Sequence, residues 1–292
     1  MQKSKFKSLL HYHFIVFIFG FTAILGALIS LDATPLVWYR MVIGTLGLGI
    51  VLFILKQSFV VSRTIFFVAI LSGIMISLHW ITFFGAVKQS SVSLTLSVLS
   101  SGAFITSLLE PIFYKRKIIL YEVLFGLLII IGLILILNTQ IDNLRGFVYA
   151  IISTFLAVGF TLINGKYVNK TNPYVLSFYE LLVGCVVVSI VIIIGGGFSV
   201  EFFMISREDL IWIVILGLIC TSYAFVISIV VMRELSPYSI MLGINMEPVY
   251  GILLAIIIFG EKEKMSPTFY FGLFIILISV LLNGYLKIFK SK

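Results

Sequence analysis

Apolar residues run along this chain in ten long blocks, separated by short polar or Gly/Pro punctuation. The blocks cover roughly 9–31, 36–55, 64–87, 91–113, 118–138, 145–165, 173–195, 209–232, 237–259 and 267–286. About 20 apolar residues carry a helix across the hydrocarbon core of a bilayer, and each block is close to that length. Their apolar character is continuous rather than alternating, so they predict helices and not barrel strands. The pattern predicts an all-α polytopic membrane protein with ten transmembrane helices. Lys3, Lys5 and Lys7 precede the first block as they would in a signal peptide. That block is too long for a signal core and no small-residue cleavage site follows it, which makes it the first span.

Composition agrees. Hydrophobic residues make up 61% and charged residues 11% of 292 positions, and mean hydropathy is +1.21. Soluble domains carry roughly 45–50% apolar and about 25% charged residues, so the lipid bilayer is the expected solvent. The net charge of +8 is no sign of a nucleic-acid partner, because the basic residues sit in short loops and at the ends. With the N-terminus inside, the cytoplasmic set is Lys3, Lys5, Lys7, Lys56, Arg63, Lys115, Arg116, Lys117, Lys166, Lys170, Arg233, Lys287, Lys290 and Lys292. The opposite set is only Lys88, Arg145, Arg207, Lys262 and Lys264. This imbalance predicts an even number of spans with both termini in the cytoplasm. Cys185 and Cys220 lie within apolar runs, as small core hydrophobes do, and no spacing suggests a metal site or a cofactor.

The chain also matches itself. Lys88-Gln89-Ser90-Ser91 aligns with Arg233-Glu234-Leu235-Ser236, Gly102-Ala103 with Glu247-Pro248, and Arg116 with Glu261. With one residue of slip, Phe125-Gly126-Leu127 aligns with Phe271-Gly272-Leu273. Within a residue or two, Pro35 and Trp38-Tyr39-Arg40 resemble Pro173 and Phe178-Tyr179-Glu180. The expected halves are 1–140 and 141–292, with five spans each. An odd number of spans forces the second copy to enter from the other side, giving two inverted five-helix repeats with a binding site at their interface.

Polar groups inside spans are costly and mark candidate pathways. Glu247-Pro248 lies near the middle of the ninth span, where the proline frees the carbonyl of Ile244 beside a carboxylate and Asn245. Arg40 lies about five residues into the second span, where it either snorkels or offers a bidentate cation to a carboxylate. Glu180 lies in the opposite leaflet, so no ion pair with Arg40 is expected. Glu110 is expected to pair locally with the basic cluster of Lys115, Arg116 and Lys117. In the fourth span Ser93, Ser97, Ser100, Phe104 and Ser107 share a stripe that Ser101 adjoins; it serves either close packing or a wet cavity. His79 and Trp80 on the third span, Tyr223 on the eighth, and Tyr250 one turn from Glu247 complete the candidates. Together they suit an amphipathic chamber for a small, partly apolar metabolite.

Glu247-Pro248 followed by Phe259-Gly260-Glu261, with Ser236 before that span and Phe271-Gly272 opening the next, resembles the EamA-type branch of the drug/metabolite transporter superfamily. The first half departs from the pattern, with Ser101-Gly102-Ala103-Phe104 in place of Glu-Pro and Arg116 in place of the Gly-Glu ending. The resemblance implies a secondary transporter in a bacterial inner membrane, exporting amino acids or related small metabolites by alternating access. Its expected cavity lies between the third, fourth, eighth and ninth spans. Glu247 either couples protons or holds a substrate amine, and Arg40 meets a carboxylate; facilitated diffusion or exchange would need no titrating acid. An intramembrane enzyme is the competing class, but no serine triad, His/Asp cluster or zinc signature is present. A receptor without transport is the third, and duplication with mid-span acids argues against it. Oligomeric state is not legible.

Overall fold

A computed structural model describes residues 2–115, 117 and 120–290. Arg116 and Lys292, both counted in the basic loops above, lie outside the described residues. Among those described there is no β-strand. The helices are α1 (Gln2–Leu28), α2 (Ala33–Ile54), α3 (Arg63–Gln89), α4 (Val92–Leu99), α5 (Gly102–Tyr114), α6 (Leu120–Asn138), α7 (Leu144–Tyr167) and α8 (Pro173–Ile194). They continue as α9 (Arg207–Gly217), α10 (Ala224–Val231), α11 (Pro237–Ile244), α12 (Glu247–Phe259) and α13 (Pro267–Lys290). A π-helical turn, Leu218–Tyr223, joins α9 to α10.

Each apolar block contains helix, with differences of detail from the ten uninterrupted spans of the sequence reading. Among the described residues, seven helices are long and apolar enough to cross a membrane, the fourth being Val92–Tyr114 and the last Arg207–Val231. Two further apolar helices, Leu124–Asn138 and Pro267–Asn283, are shorter. The block 237–259 is divided at Asn245-Met246 into α11 and α12. The division follows from Pro248 at the head of α12, which has no N–H to donate and is tolerated at a helix start.

A second division, at Ser100-Ser101, has no proline. Here Ser97, Ser100 and Ser101 turn their hydroxyls back onto the carbonyls of Ser93, Ser97 and Val98 at 2.6–2.7 Å. Such back-bonding competes with the helix ladder and bends helices. The two divided helices correspond segment by segment: α4 and α11 both have 8 residues, α5 and α12 both have 13, and each pair is displaced by 145 positions. The same displacement relates the caps. Ser91 Oγ accepts the Leu94 N–H (3.0 Å) and Ser236 Oγ the Ser239 N–H (3.2 Å). It also relates the bonds at the breaks, Ser101 N–H to Val98 O and Met246 N–H to Gly243 O, both 3.0 Å.

Beyond α5 and α12 the displacement pairs Lys115 (φ 55°) with Gly260 (φ 60°), both in left-handed backbone. Gly260 has ψ −129°, a region that side chains oppose, and nothing surrounds it to add a steric term. Gly260→Ala is therefore expected to cost about 1–3 kcal/mol through backbone strain alone. Lys115→Gly should be near neutral, since relief of strain offsets the added chain entropy. Unfolding in detergent checks both, and equal effects at the two positions would contradict the argument.

The core is shared by nearly all helices. Buried residues of α1, α2, α3, α4, α8 and α10 form one continuous apolar cluster, with a smaller one centred on α6, α13 and α7. At the end of the bundle away from residue 2, polar groups tie the loops together. Asp209, at the head of α9, accepts the Ser30 N–H at 2.7 Å and its hydroxyl at 2.5 Å, and Lys88 Nζ donates to Ile29 O at 2.7 Å. Glu263, in the turn after α12, caps α4: it accepts the N–H groups of Val92 and Ser93 at 3.0 Å each and the Ser93 hydroxyl at 2.8 Å. At the other end, Gln57, Asn172, Thr171 and Arg233 line an open depression, where Asn172 Nδ2 donates to Gln57 Oε1 at 2.7 Å.

Candidate functional site

A cavity of about 90 Å³ lies inside the bundle, well above the ~10–15 Å³ that one water needs. Its walls are aromatic and aliphatic: Phe19, Trp80, Phe83, Phe160, Phe225 and Met241 among others. Arg40, His79 and Glu247 also line it, together with Thr22, Thr154, Thr161 and Ser228. Few polar groups in an apolar concavity are what orients a small ligand.

Arg40 is held in place from two sides. Its Nε donates to Thr221 Oγ1 at 2.7 Å, and its guanidinium lies 3.8 Å from the Trp80 ring centroid. Phe84 is further off, at 5.5 Å. Thr221 can accept because the π-helical turn displaces it: its own hydroxyl donates to Leu216 O, five residues back, at 2.9 Å. The next residue, Ser222, crosses to α2 and donates to Gly44 O at 2.9 Å. Gly44 and Gly217 let the two backbones approach this closely, since a Cβ on Gly44 would stand 2.7 Å from Thr221 Cγ2. Arg40 is only 2% exposed, yet its Nη1 has no hydrogen-bond partner. A desolvated guanidinium donor without a partner is costly unless something supplies an acceptor.

Glu247 reaches the same cavity because α12 begins with it, at the break that Pro248 enforces. It shares the cavity with Arg40, but the two form no direct ion pair among the described residues. His79 is fixed by Ser153, whose carbonyl and hydroxyl lie 2.9 and 2.8 Å from Nδ1. That leaves its ring between Phe83 and Phe160.

Arg40, His79, Trp80 and Glu247, four of the nine residues singled out from sequence, thus line one cavity. The other five stand outside it. Ser97 and Ser101 are bonded to their own helix and packed, and α4 gives the lining only Leu99. Asn245 is buried at the break, its Nδ2 on Met241 O at 2.9 Å. Tyr223 and Tyr250 turn away toward α1, where their hydroxyls meet His11 (2.7 Å) and His13 (2.5 Å). α1 lies close against α12, with Gly20 beside Tyr250 and Gly251, and this contact takes Tyr250 out of the chamber proposed for it. The cavity is also built from more helices than the expected four, since α1, α2 and α7 contribute to its lining as well. Thr221, Thr161 and the phenylalanines of the wall carry no signal in sequence, because neither a hydroxyl nor an aromatic ring is costly enough in a span to stand out.

Glu180 and Arg40 are not paired, as their opposite depths imply. Glu180 lies on α8 beside Asn164 and Ser72, away from the cavity lining.

The sequence pattern of the EamA-like transporter family matches residues 9–138 and residues 144–285. The chain is similar to Uncharacterized transporter YxxF of Bacillus subtilis (strain 168), 24% identical over 202 residues. That match covers 67% of this chain and 63%, less than two thirds, of the relative. A solved structure, described as "Crystal structure of protein", is similar with a TM-score of 0.70 and 13% identity, covering 94% of this chain and 96% of its own; the likeness is one of fold. With family matches over both halves and helices apolar enough to cross a bilayer, the chain is a multi-pass membrane protein and belongs to the EamA-like transporter family.

Proposed function

We propose that this chain is a secondary transporter, not an enzyme, that exports amino acids or related small zwitterions across a bacterial inner membrane by alternating access. One observation carries the reading: a buried cation with an unpartnered donor and a buried carboxylate line the same small aromatic cavity. Arg40 takes the substrate carboxylate, and Glu247 the ammonium. Trp80, Phe83, Phe160 and Phe225 accept an apolar side chain. The carrier itself consists of ten crossings in two inverted five-helix repeats, 1–140 and 141–292, with both ends in the cytoplasm. The common displacement of 145 positions supports the duplication, and the bias of Lys and Arg between alternate loops supports the orientation. In that orientation the outer end is the one tied by Asp209 and Glu263.

Counterflow of a panel of labelled amino acids into proteoliposomes tests the reading. Glu247→Gln is expected to lose uptake of the preferred amino acid while a des-amino analogue competes as well as it does against the wild type. Wild-type chain that moves none of the panel, or a variant that keeps full amino-acid affinity, would sink it.

A further inference from the structure

Glu180 is a fully buried carboxylate that the cavity does not use. Although Asn164 and Ser72 approach it, neither of its oxygens has a partner at good hydrogen-bond geometry. Around it lie other groups with capacity to spare. Asn164 on α7 and Ser72 on α3 adjoin the carboxylate, and Ser72 Oγ donates to Asn164 Oδ1 at 3.3 Å. Asn164 Nδ2 has no partner, and neither does the hydroxyl of Ser177, one turn before Glu180 on α8. Asn164, Ser72 and Ser177 are likewise fully buried.

Backbone packing closes the region. A Cβ on Gly73 would stand 2.7 Å from Glu180 O, so α3 and α8 touch main chain to main chain there. The groups that face the carboxylate from α3 and α7 carry no charge. On α2 and α10, which also pack on α8, the ionisable side chains are Tyr39, bonded to Phe202 O, and Arg40, committed to Thr221 and Trp80. An uncompensated carboxylate among packed helices is strongly unfavourable, and a carboxylate, an amide and two hydroxyls are the oxygen-rich set that a small hard cation prefers.

The position couples this group to the cavity. Thr161 lines the cavity and Asn164 follows one turn later on the same face of α7; His79 lines it and Ser72 precedes it by two turns on the same face of α3. One pair of helix faces therefore runs from the cavity to Glu180.

We propose that Glu180, Ser72, Asn164 and Ser177 form a separate site for a monovalent cation, a proton or a sodium ion, one helical turn from the cavity. This site, rather than Glu247, holds the coupling ion, so the inference rests on the transport reading for its purpose but not for its chemistry. Occupancy alters the packing of α3 on α8 and of α7 on α3, and through these faces the shape of the cavity.

Purified full-length chain in detergent tests this without any transported solute. If the ion is a proton, the infrared band of a protonated carboxyl disappears as pH rises in the wild type and is missing in Glu180→Gln. If it is sodium, Tm rises with NaCl but not with KCl, and Glu180→Gln loses that rise. Ser177→Ala removes only an unpartnered hydroxyl and is expected to shift the pH or sodium midpoint in a folded protein. Wild-type chain indistinguishable from both variants in both measurements overturns the site. A wild type that binds the ion but carries no amino acid would overturn the zwitterion reading and leave the site standing.

Discussion

Replacing Arg40 with lysine is expected to abolish counterflow of the preferred amino acid, although charge is conserved. Three features of the site need a guanidinium. Thr221 takes the Nε hydrogen, Trp80 takes the guanidinium at 3.8 Å, and Nη1 is left without a partner, open to the proposed ligand. Lysine has one ammonium, no planar face and a more strongly hydrated charge, so it cannot meet all three at once. Breaking one side of a buried, hydrogen-bonded charge pair typically costs about 2–5 kcal/mol, and binding to the purified variant should weaken by that order. Thr221→Val asks how much of the effect is orientation: it leaves Arg40 in place but unsupported, and should weaken binding less. An Arg40→Lys variant with wild-type affinity and rate would remove Arg40 from the binding site.

The largest effect on stability is expected at Glu263. Its carboxylate is 6% exposed and satisfies the first two N–H groups of α4. Helix starts leave such donors orphaned, and a carboxylate there also meets the positive end of the helix dipole. Glu263→Ala leaves both donors buried without an acceptor, at about 1–3 kcal/mol apiece. Glu263→Gln keeps an oxygen but not the charge, and should fall between. Glu261, two residues earlier and part of the family-like Phe-Gly-Glu run, is 83% exposed and among the described residues pairs with Lys264. An exposed pair of this kind is worth roughly 0–1 kcal/mol, so Glu261→Ala should be nearly silent. Chemical or thermal unfolding in detergent ranks the three; Glu261→Ala as damaging as Glu263→Ala would overturn the assignment.

These two cases show where the sequence is informative. The helices were legible because twenty apolar residues in a row have one use, and Glu247-Pro248 because an acid and a proline are each costly in a span. Arg40 was legible for the same reason. Glu263 was not: a glutamate in a polar turn is ordinary until the fold brings α4 to it from 170 positions away. The break at Ser100-Ser101 hid because serine is neutral in a span, and only its match to Asn245-Met246 in three dimensions gives it significance. Tyr223 and Tyr250 misled in the opposite way. Helical spacing placed Tyr250 on the face of Glu247, but tight contact with α1 claims that face for a hydrogen bond to His13.

The two broken helices bear on how fast such a molecule can work. A continuous helix bends by stretching or rupturing ladder bonds, and that raises the activation barrier of any rocking motion. In α4–α5 and α11–α12 the regular ladder is disturbed at Ser100-Ser101 and at Asn245-Met246, where the Ser101 N–H turns to Val98 O and the Met246 N–H to Gly243 O. Both joints belong to helices that pack against each other through α4 and α12. Such a pair offers two adjoining places where bending strains fewer ladder bonds than it would in a continuous helix.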